Sequence, residues 1–547
     1  MTSPATRKPT RIVLLVSALL VSTVVVVIVT TTTTVAASFR IRDVTIWNVT
    51  DYGQAEDVIP VRNDDNEDDA QTPETFTCAK DDSIEREYGR INVQLSRDHV
   101  GTQYRLARLF QRARLERNNS NQRFKIGVLG GSVSSGHGNS HSPNKQDRQI
   151  EQPWWTFVRN WFEQLPEFKD RIELVNGAQP AVDSTFFKWC WTEKLGGQDF
   201  DLVFLETAVN DDFSRSSMND AEDLLRSLLE LPQNPSVVYV DAFALHSGHA
   251  SSTAKPKLAH QVSDDKSQRH LNLINNSGML DGADSHLPLA RFYDVPEISA
   301  RNAVLPTLLN SNDPDLEQQL FKGDTRHIAS PLHQYLGLMV VRFLQDVRCH
   351  ADKILKELEQ DRQAVKMTTR RGGRERPSSS SLSWTRNGQS WIGSVPRIKI
   401  SQPFDSPSIA RSVAPVCHLA GSSLEPSTTS PDWSVFTWRY DKHYLQSLVE
   451  HATIEFRIKV EKGAKGLVAI SFLRSKQYEL GNLKCRILGI MDQDVVLQGW
   501  WDKTSSVSET VVVASELQDD MTYTLACETE RDDQGRTAFR IMAIHSL

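Results

Sequence analysis

Residues 124–138 read FKIGVLGGSVSSGHG, a short apolar run followed by glycines, serines and one histidine. An apolar run of this length, bounded by turn residues, predicts a buried strand. Gly130 and Gly131 permit a tight turn after the strand, so Ser132 is predicted at its carboxyl end, where a helix should begin. Ligands of open α/β sheets bind at that edge, which makes Ser132 a candidate functional residue.

The same stretch has three other possible interpretations: a helix N-cap, a P-loop and an α/β-hydrolase elbow. A serine after a turn is a favoured helix N-cap, and this remains an alternative role for Ser132. A phosphate-binding P-loop needs a lysine after its glycines, and the stretch has none. The stretch also departs from the G-x-S-x-G elbow of the α/β hydrolases, because Ser134 stands where that pattern requires glycine.

The flanking sequence continues the α/β pattern over residues 78–352. RIELV, DLVFLE and SVVYVDAF are short apolar runs, and they occur among segments of helical spacing such as QYRLARLFQRARLER and WWTFVRNWFEQL. Strands that alternate with helices predict a parallel sheet covered by helices on both faces. The unit is predicted to end with the helix HQYLGLMVVRFLQDV.

The C-terminal part of the chain follows a different period. Residues 353–389 are charged and serine-rich, which predicts a disordered linker. Beyond them, in ATIEFRIKV, apolar and charged residues alternate, as in a strand with one buried face. GLVAISFL, ETVVVAS, TYTLACE and TAFRIMAI continue the theme, so residues 390–547 are predicted to form an antiparallel β-sandwich.

The N-terminal part predicts a membrane anchor. Residues 1–11 contain three basic residues, and residues 12–34 begin with the uncharged run IVLLVSALLVSTVVVVIV, long enough to span a bilayer. Positive charge before the span predicts a cytoplasmic tail and a lumenal body, the single-pass type II arrangement, in the secretory pathway. A signal peptide cleaved near Ala37 is the alternative. The acidic residues 38–77 predict a solvated stalk.

Glycosylation sequons and cysteines fit a lumenal body. Three N-x-[ST] triplets predict glycosylation at Asn48, Asn118 and Asn275. Six cysteines divide equally between the two predicted domains, three before the linker and three after it. Some should pair in an oxidising compartment, and one in each domain is left over unless a disulfide crosses between the domains.

The overall charge argues against one class of partner. The chain has 547 residues, which indicates two folded domains, and a formal net charge of −7 with a pI near 6.1. No basic stripe and no nucleic-acid-binding motif is present, so nucleic acid is not a predicted partner. No cofactor and no metal is predicted either, because the histidine pairs His137/His141 and His246/His249 lack the further ligands that a zinc site needs.

Three blocks of the sequence together resemble the SGNH, or GDSL-type, hydrolases. GGSVSSG resembles the family's nucleophile block, DLVFLETAVND supplies an asparagine beyond a buried strand, and DTRHIASPLH supplies D-x-x-H with a second histidine, His333, six residues on. The resemblance implies a flavodoxin-like parallel sheet. One departure concerns Gly131, which stands where the family commonly has aspartate.

The resemblance and the chemistry of acyl transfer assign the same roles. Ser132 would be the nucleophile, His327 the base that removes its proton, and Asp324 the carboxylate that orients the imidazole. Ser132 N–H and the Asn210 amide would stabilise the tetrahedral oxyanion. A further backbone N–H, from either Gly177 or Ala181, would complete this hole.

Two functional classes follow. The first is a lumenal serine esterase, or an O-acyltransferase that forms the same acyl-serine. It is similar to fungal and plant proteins that modify O-acetyl groups of wall or capsule polysaccharide. Carbohydrate is then the predicted partner. The second is an inactive glycan-binding or structural protein. Its glycan contacts would come from sandwich tryptophans, although such residues more often lie in a core: Trp433, Trp438, Trp500 and Trp501.

Overall fold

The computed structural model describes residues 82–117, 119, 121–137, 152–245, 280–313, 315–321, 326–370, 393–407, 415–438, 442–502 and 506–547. The chain divides into two compact units, Met1–Phe76 and Thr77–Leu547, and all described residues belong to the second. The predicted tail, span and stalk, and the three sequons, lie outside the described residues. None of the helices in the described part of the chain is long and apolar enough to cross a membrane.

Residues 82–360 contain the α/β sheet. Its strands are β1 (Arg97–His99), β2 (Phe124–Gly130), β3 (Ile172–Asn176), β4 (Leu202–Glu206), β5 (Ser236–Asp241) and β6 (Glu297–Ser299). Their order across the sheet is β1-β6-β5-β4-β2-β3. The five strands β2 to β6 are parallel, whereas β1 pairs antiparallel with β6 at one edge. The parallel part has the flavodoxin-like order, which confirms the predicted fold class.

Helices cover both faces of this sheet. They are α1 (Ser83–Tyr88), α2 (Arg90–Leu95), α3 (Tyr104–Leu115), α4 (Trp154–Gln164), α5 (Ser184–Leu195), α6 (Arg215–Leu229), α7 (Gly282–Tyr293), α8 (Arg301–Asn310), α9 (Leu316–Leu320) and α10 (Ser330–Arg370). One core contains buried side chains of α3, α4 and α10, and a second contains those of α5, α6 and α7. Every residue of β4 and β5 is buried, as expected for strands enclosed between two helical layers.

Two antiparallel sheets form the predicted C-terminal sandwich. Their strands are β7 (Val416–Leu419), β8 (Thr428–Thr429), β9 (Ser434–Trp438), β10 (Lys442–Ser447), β11 (Thr453–Val460), β12 (Val468–Arg474), β13 (Asn482–Ile487), β14 (Val495–Gln498), β15 (Val507–Ala514), β16 (Met521–Glu530) and β17 (Phe539–Ser546). One sheet has the order β15-β12-β17-β10-β9, with β7 also paired to β17, and the other has the order β14-β13-β16-β11-β8. In β11 the four alternating apolar residues are buried, as their period predicts.

The sandwich packs directly on the α/β part. The core beneath α5 and α6 includes the sandwich residues Tyr444, Leu473 and Met542. A disulfide joins Cys190 in α5 to Cys417 in β7, so a bridge does cross between the two predicted domains. Within the sandwich, Cys485 pairs with Cys527 across β13 and β16, and Cys349 in α10 is disulfide-bonded as well.

The structure corrects both boundaries of the predicted linker. Helix α10 continues to Arg370, so residues 353–370 are helical rather than linker. Lysine, glutamate, leucine and glutamine dominate this segment, and these strong helix formers need no buried face to extend an existing helix. Residues 393–407 pack on the α/β part rather than on the sandwich: Arg226 donates to the carbonyl oxygens of Pro396 and Ile398, and Ile400 N–H donates to Glu222.

Candidate active site

The candidate site lies where the order of the parallel sheet reverses. Strands β2 and β4 are neighbours, and the chain leaves them toward β3 on one side and β5 on the other. Ser132 follows β2 in a turn that continues to His137, and Asn210 follows β4. This divergence of connections opens the crevice in which doubly wound sheets bind ligands. Two of the three sequence blocks therefore meet because of the strand order.

Ser132 and His327 contact one another in this crevice. The Oγ atom of Ser132 lies 2.8 Å from Nε2 of His327, within hydrogen-bond distance. Ser132 is only 5% exposed. His327 lies three residues before Ser330, the first residue of the closing helix α10. An imidazole at this distance can take the hydroxyl proton as the oxygen attacks a carbonyl carbon. Asp324, the predicted orienting carboxylate, lies outside the described residues.

The turn after Ser132 is held by a buried carboxylate. Glu206, at the end of β4, accepts hydrogen bonds from the N–H and the hydroxyl of Ser134, at 3.1 and 2.9 Å. The indole N–H groups of Trp154 and Trp155, at the start of α4, donate to the hydroxyl and the carbonyl oxygen of the same serine. Burial raises the pKa of Glu206 to about 8, which the hydrogen bonds from Ser134 partly oppose. Ser134 therefore positions the nucleophile turn.

The Asn210 amide lies directly beside this turn. Its Nδ2 donates one hydrogen bond to Val182 O at 2.7 Å. A Cβ atom on Gly131 would lie 1.9 Å from the same nitrogen, so only glycine leaves room for the amide here. Gly131, which stands where SGNH hydrolases commonly have aspartate, therefore packs closely against the predicted oxyanion donor Asn210.

The backbone donors differ in their availability. Gly177 N–H donates to Val128 O at 2.9 Å, continuing the ladder of β2 and β3, so the structure does not support Gly177 as an oxyanion donor. Ala181 N–H and Ser132 N–H make no hydrogen bond to any other described residue. Ala181 adopts a left-handed conformation, with φ of 60°. Of the two predicted alternatives, Ala181 therefore keeps a donor for a ligand.

Buried polar and ionisable side chains hold the turn that contains Asn210. Asp211 accepts hydrogen bonds from the N–H and hydroxyl of Ser184, and its carboxylate lies 2.8 Å from Nε2 of His286. The other ring nitrogen of His286 lies 3.3 Å from Asp241 at the end of β5. Burial alone would lower the pKa of His286, but the two aspartates outweigh it and raise that pKa to about 10. His286 thus links the turn after β4 to the end of β5.

Aromatic rings from both parts of the chain line the crevice beside His327. The ring of His137 lies 5.7 Å from that of His327 and is stacked on Trp438 of β9, with centroids 5.9 Å apart. The sequence suggested no function for His137, because its spacing to His141 resembled an incomplete metal site. Among the four sandwich tryptophans considered above, Trp433 is buried in the core of the sandwich, whereas Trp438 reaches this crevice.

Of the other histidines discussed in the sequence analysis, the structure describes only His333. His333 is fully buried in the first turn of α10, with Nε2 3.5 Å from the carbonyl oxygen of His137. His141, His246 and His249 lie outside the described residues. Within the described residues, the one cluster of three potential metal ligands is Cys190, Cys417 and His545, and two of these are joined in the disulfide.

Two solved structures match most of this chain. A two-domain esterase active on acetylated mannans matches with a TM-score of 0.52 and 15% identity, over 83% of this chain and 97% of that chain, in its complex with mannopentaose. A second structure of a two-domain esterase active on acetylated mannans matches equally, over 98% of its chain. This chain is thus similar in fold to a two-domain esterase. The match supports the predicted fold, a parallel α/β sheet followed by an antiparallel sandwich.

A further solved structure matches a smaller share of the chain. A putative GDSL-like lipase from Parabacteroides merdae matches 41% of this chain and 96% of its own, with 13% identity and a TM-score of 0.29. No protein-family model and no curated protein matches the sequence.

Sequence reasoning missed the residues that position the site. Glu206, Ser134 and the two tryptophans of α4 belong to segments that the apolar pattern assigned to ordinary strands and helices. Lys442 and Ser508 of the sandwich bond to the loop that contains Ala181, more than two hundred residues away in sequence. A signal existed only for Glu206, a carboxylate at the end of an otherwise apolar run.

Proposed function

We propose that this protein is a serine esterase that removes acyl groups, O-acetyl groups above all, from a polysaccharide. The observation that carries the proposal is the 2.8 Å contact between Ser132 Oγ and His327 Nε2 at the sheet's switch point. The Asn210 amide lies against Gly131, next to Ser132, and the N–H groups of Ser132 and Ala181 have no described partner. A nucleophile, a base and clustered donors are the requirements for acyl transfer through a covalent intermediate.

The reaction would proceed in two steps. His327 takes the hydroxyl proton while Ser132 Oγ bonds to the acyl carbon, and the ester oxygen of the sugar leaves with that proton. The negative oxygen of each tetrahedral intermediate would accept hydrogen bonds from Ser132 N–H, Ala181 N–H and the Asn210 amide. Water then attacks the acyl-serine, again with His327 as base, and releases the carboxylic acid and free Ser132. Asp324 would stabilise the imidazolium in both steps.

Two considerations support an acetylated polysaccharide as the substrate. The esterase that shares the two-domain fold is active on acetylated mannans. The partly exposed ring of Trp438 stacks on His137, whose ring lies 5.7 Å from that of His327, and tryptophan faces suit sugar rings. The lumenal location and the membrane anchor remain part of the proposal on the basis of residues 12–34 alone.

The test uses the chain from residue 78 onward, alongside the full chain, and measures two reactions. Acetate release from O-acetylated mannan is compared with acetyl transfer from an aryl acetate donor to bare mannan. Ser132→Ala is expected to lower both activities to background and to abolish labelling by a fluorophosphonate. Ser227→Ala, a matched substitution in α6 with one local hydrogen bond, is the control and is expected to leave both intact.

Each outcome has a definite meaning. Acetate release without transfer supports the esterase, whereas transfer that exceeds release identifies an O-acyltransferase with the same acyl-serine. Binding of mannan without either activity, and without labelling of Ser132, identifies a glycan-binding protein and contradicts the proposal.

A further inference from the structure

The loop that joins β3 to α5, residues 177–183, forms hydrogen bonds with both the α/β part and the sandwich. Its beginning is fixed by the α/β sheet, where Gly177 N–H donates to Val128 O and Gln179 N–H donates to Gly130 O. Its end is fixed by Asn210, which donates to Val182 O, and by the start of α5. Between these anchors, neither carbonyl of Pro180 and Ala181 bonds to the α/β sheet.

Both of those carbonyl oxygens accept hydrogen bonds from the sandwich. Lys442 Nζ, at the start of β10, lies 2.6 Å from Pro180 O, and Ser508 N–H, in β15, donates to Ala181 O at 2.7 Å. Lys442 is only 3% exposed, so its ammonium group is buried at this contact. A hydrogen bond from a charged donor is roughly twice as strong as one between neutral groups. The sandwich therefore fixes the part of the loop that the sheet leaves unsupported.

The geometry of the peptide bond connects Lys442 to the predicted oxyanion hole. No cis peptide bond occurs in the described residues, and in a trans peptide the carbonyl oxygen and the next N–H point in opposite directions. The peptide that presents Pro180 O to Lys442 is the one that carries Ala181 N–H. Holding the oxygen toward the sandwich thus turns Ala181 N–H away from Lys442, and no other described residue accepts it.

The backbone of Ala181 needs such support. Its φ of 60° lies in the left-handed region, which costs a non-glycine residue about 1 kcal/mol or more. Conformations of this kind persist where surrounding contacts fix them. The bonds to the carbonyls on both sides of Ala181 are contacts of that kind.

We infer that Lys442 and Ser508 are positioning residues, which orient the Ala181 N–H of the oxyanion hole through Lys442 Nζ and the Ser508 N–H. The sandwich then supports the catalytic centre and is more than an appended binding domain. The inference rests on the proposed function. It implies that the α/β part alone holds Ser132 and His327 but lacks a correctly oriented Ala181 donor.

The first test replaces Lys442. Lys442→Met keeps most of the side-chain volume and removes the donor, and is expected to lower kcat for an aryl acetate about 10- to 100-fold with KM changed less than about twofold, because the donor acts on the oxyanion. Lys442→Arg restores a charged donor and is expected to recover part of the loss. Lys476→Met, which removes an exposed sandwich lysine paired with Asp502, is the matched control and is expected to behave as wild type.

The second test uses Ser508 and is independent of Lys442. Ser508 lies in the edge strand β15, and its N–H faces Ala181 rather than β12. Proline is tolerated where the N–H of an edge strand points away from the sheet. Ser508→Pro is therefore expected to lower kcat by a similar factor.

The results separate this inference from the proposed function. If wild type hydrolyses aryl acetate and Ser132→Ala does not, the proposed function stands. If Lys442→Met and Ser508→Pro then retain wild-type kcat per fluorophosphonate-labelled site, or lose affinity alone, the positioning role is wrong. If wild type itself is inactive, the proposed function fails first.

Discussion

Replacing Gly131 by alanine would place a methyl group 1.9 Å from the Nδ2 atom of Asn210. Ordinary contacts of a Cβ atom begin near 3.4 Å, so the amide has to move by more than about 1 Å. The backbone is no obstacle, because Gly131 is not among the residues with positive φ. The substitution therefore displaces one side chain and leaves the chain path unchanged.

The expected effect is a large loss of rate with a small loss of stability. A displacement of about 1 Å in a positioned group can cost about 100-fold, and removal of one oxyanion donor typically costs about 100- to 1000-fold in kcat. We expect Gly131→Ala to fall in this range for aryl acetate hydrolysis. The lost hydrogen bond from Asn210 to Val182 O contributes only about 1 kcal/mol to the free energy of unfolding, so the melting temperature should fall by a few degrees.

A double-mutant cycle decides whether the effect passes through Asn210. Asn210→Ala alone should lower kcat by a similar factor, and Gly131→Ala combined with Asn210→Ala should be no slower than Asn210→Ala. Gly127→Ala, on the strand that precedes Gly131, is the matched control: its Cβ would lie 3.1 Å from Leu195, so it should lower the melting temperature and leave kcat near wild type. Full activity of Gly131→Ala, or multiplicative losses in the double variant, would refute the reasoning.

Three further predictions concern the carboxylates, the closing helix and the disulfide. Asp324→Asn should bind substrate normally and lose about 10,000-fold in kcat, whereas His333→Ala should lower the melting temperature more than kcat because His333 is fully buried; the reverse pattern would reassign the base. Burial raises the pKa of Glu206 from its ordinary 4.5 to about 8, so the folded protein retains a proton that the unfolded chain releases between those pH values. Stability should therefore fall as the pH rises through that window, and Glu206→Gln should show a shallower fall in thermal melting; equal slopes would exclude Glu206 as a source. Replacing Cys190 and Cys417 together by alanine should lower the free energy of unfolding by about 2–5 kcal/mol in urea denaturation, and an unchanged value would mean that the interface alone holds the sandwich.

Local pattern was sufficient for much of the fold. The apolar runs that begin at residues 125, 171, 201 and 236 became parallel strands. For the central strands β4 and β5 the reason is that a strand enclosed by helices has to be apolar on both faces. The alternation in residues 452–460 placed β11 with one face in the sandwich core. The antiparallel edge strand β1 was not predicted, because its three residues carry no periodic signal.

Local pattern misjudged the region between the two parts. Charged and serine-rich composition indicated a linker from residue 353, yet helix propensity carries α10 to Arg370. Residues 393–407 have no strand or helix, and their contacts with Arg226 and Glu222 depend on side chains distant in sequence. Composition indicates the conformation that a segment prefers in isolation. It does not indicate which surface of the folded protein the segment will pack against.

The sequence by itself determined the chemical groups of the candidate site and their order: a serine after the first parallel strand, an asparagine after β4 and a histidine before the closing helix. It also left two backbone donors, Gly177 and Ala181, equally open. Only the tertiary structure distinguished the two donors. Gly177 N–H donates to Val128 O in the sheet, whereas Lys442 and Ser508 of the sandwich bond to the carbonyl oxygens on either side of the Ala181 backbone. The direction of a backbone N–H depends on the peptide plane, and that plane is set by contacts between segments distant in sequence.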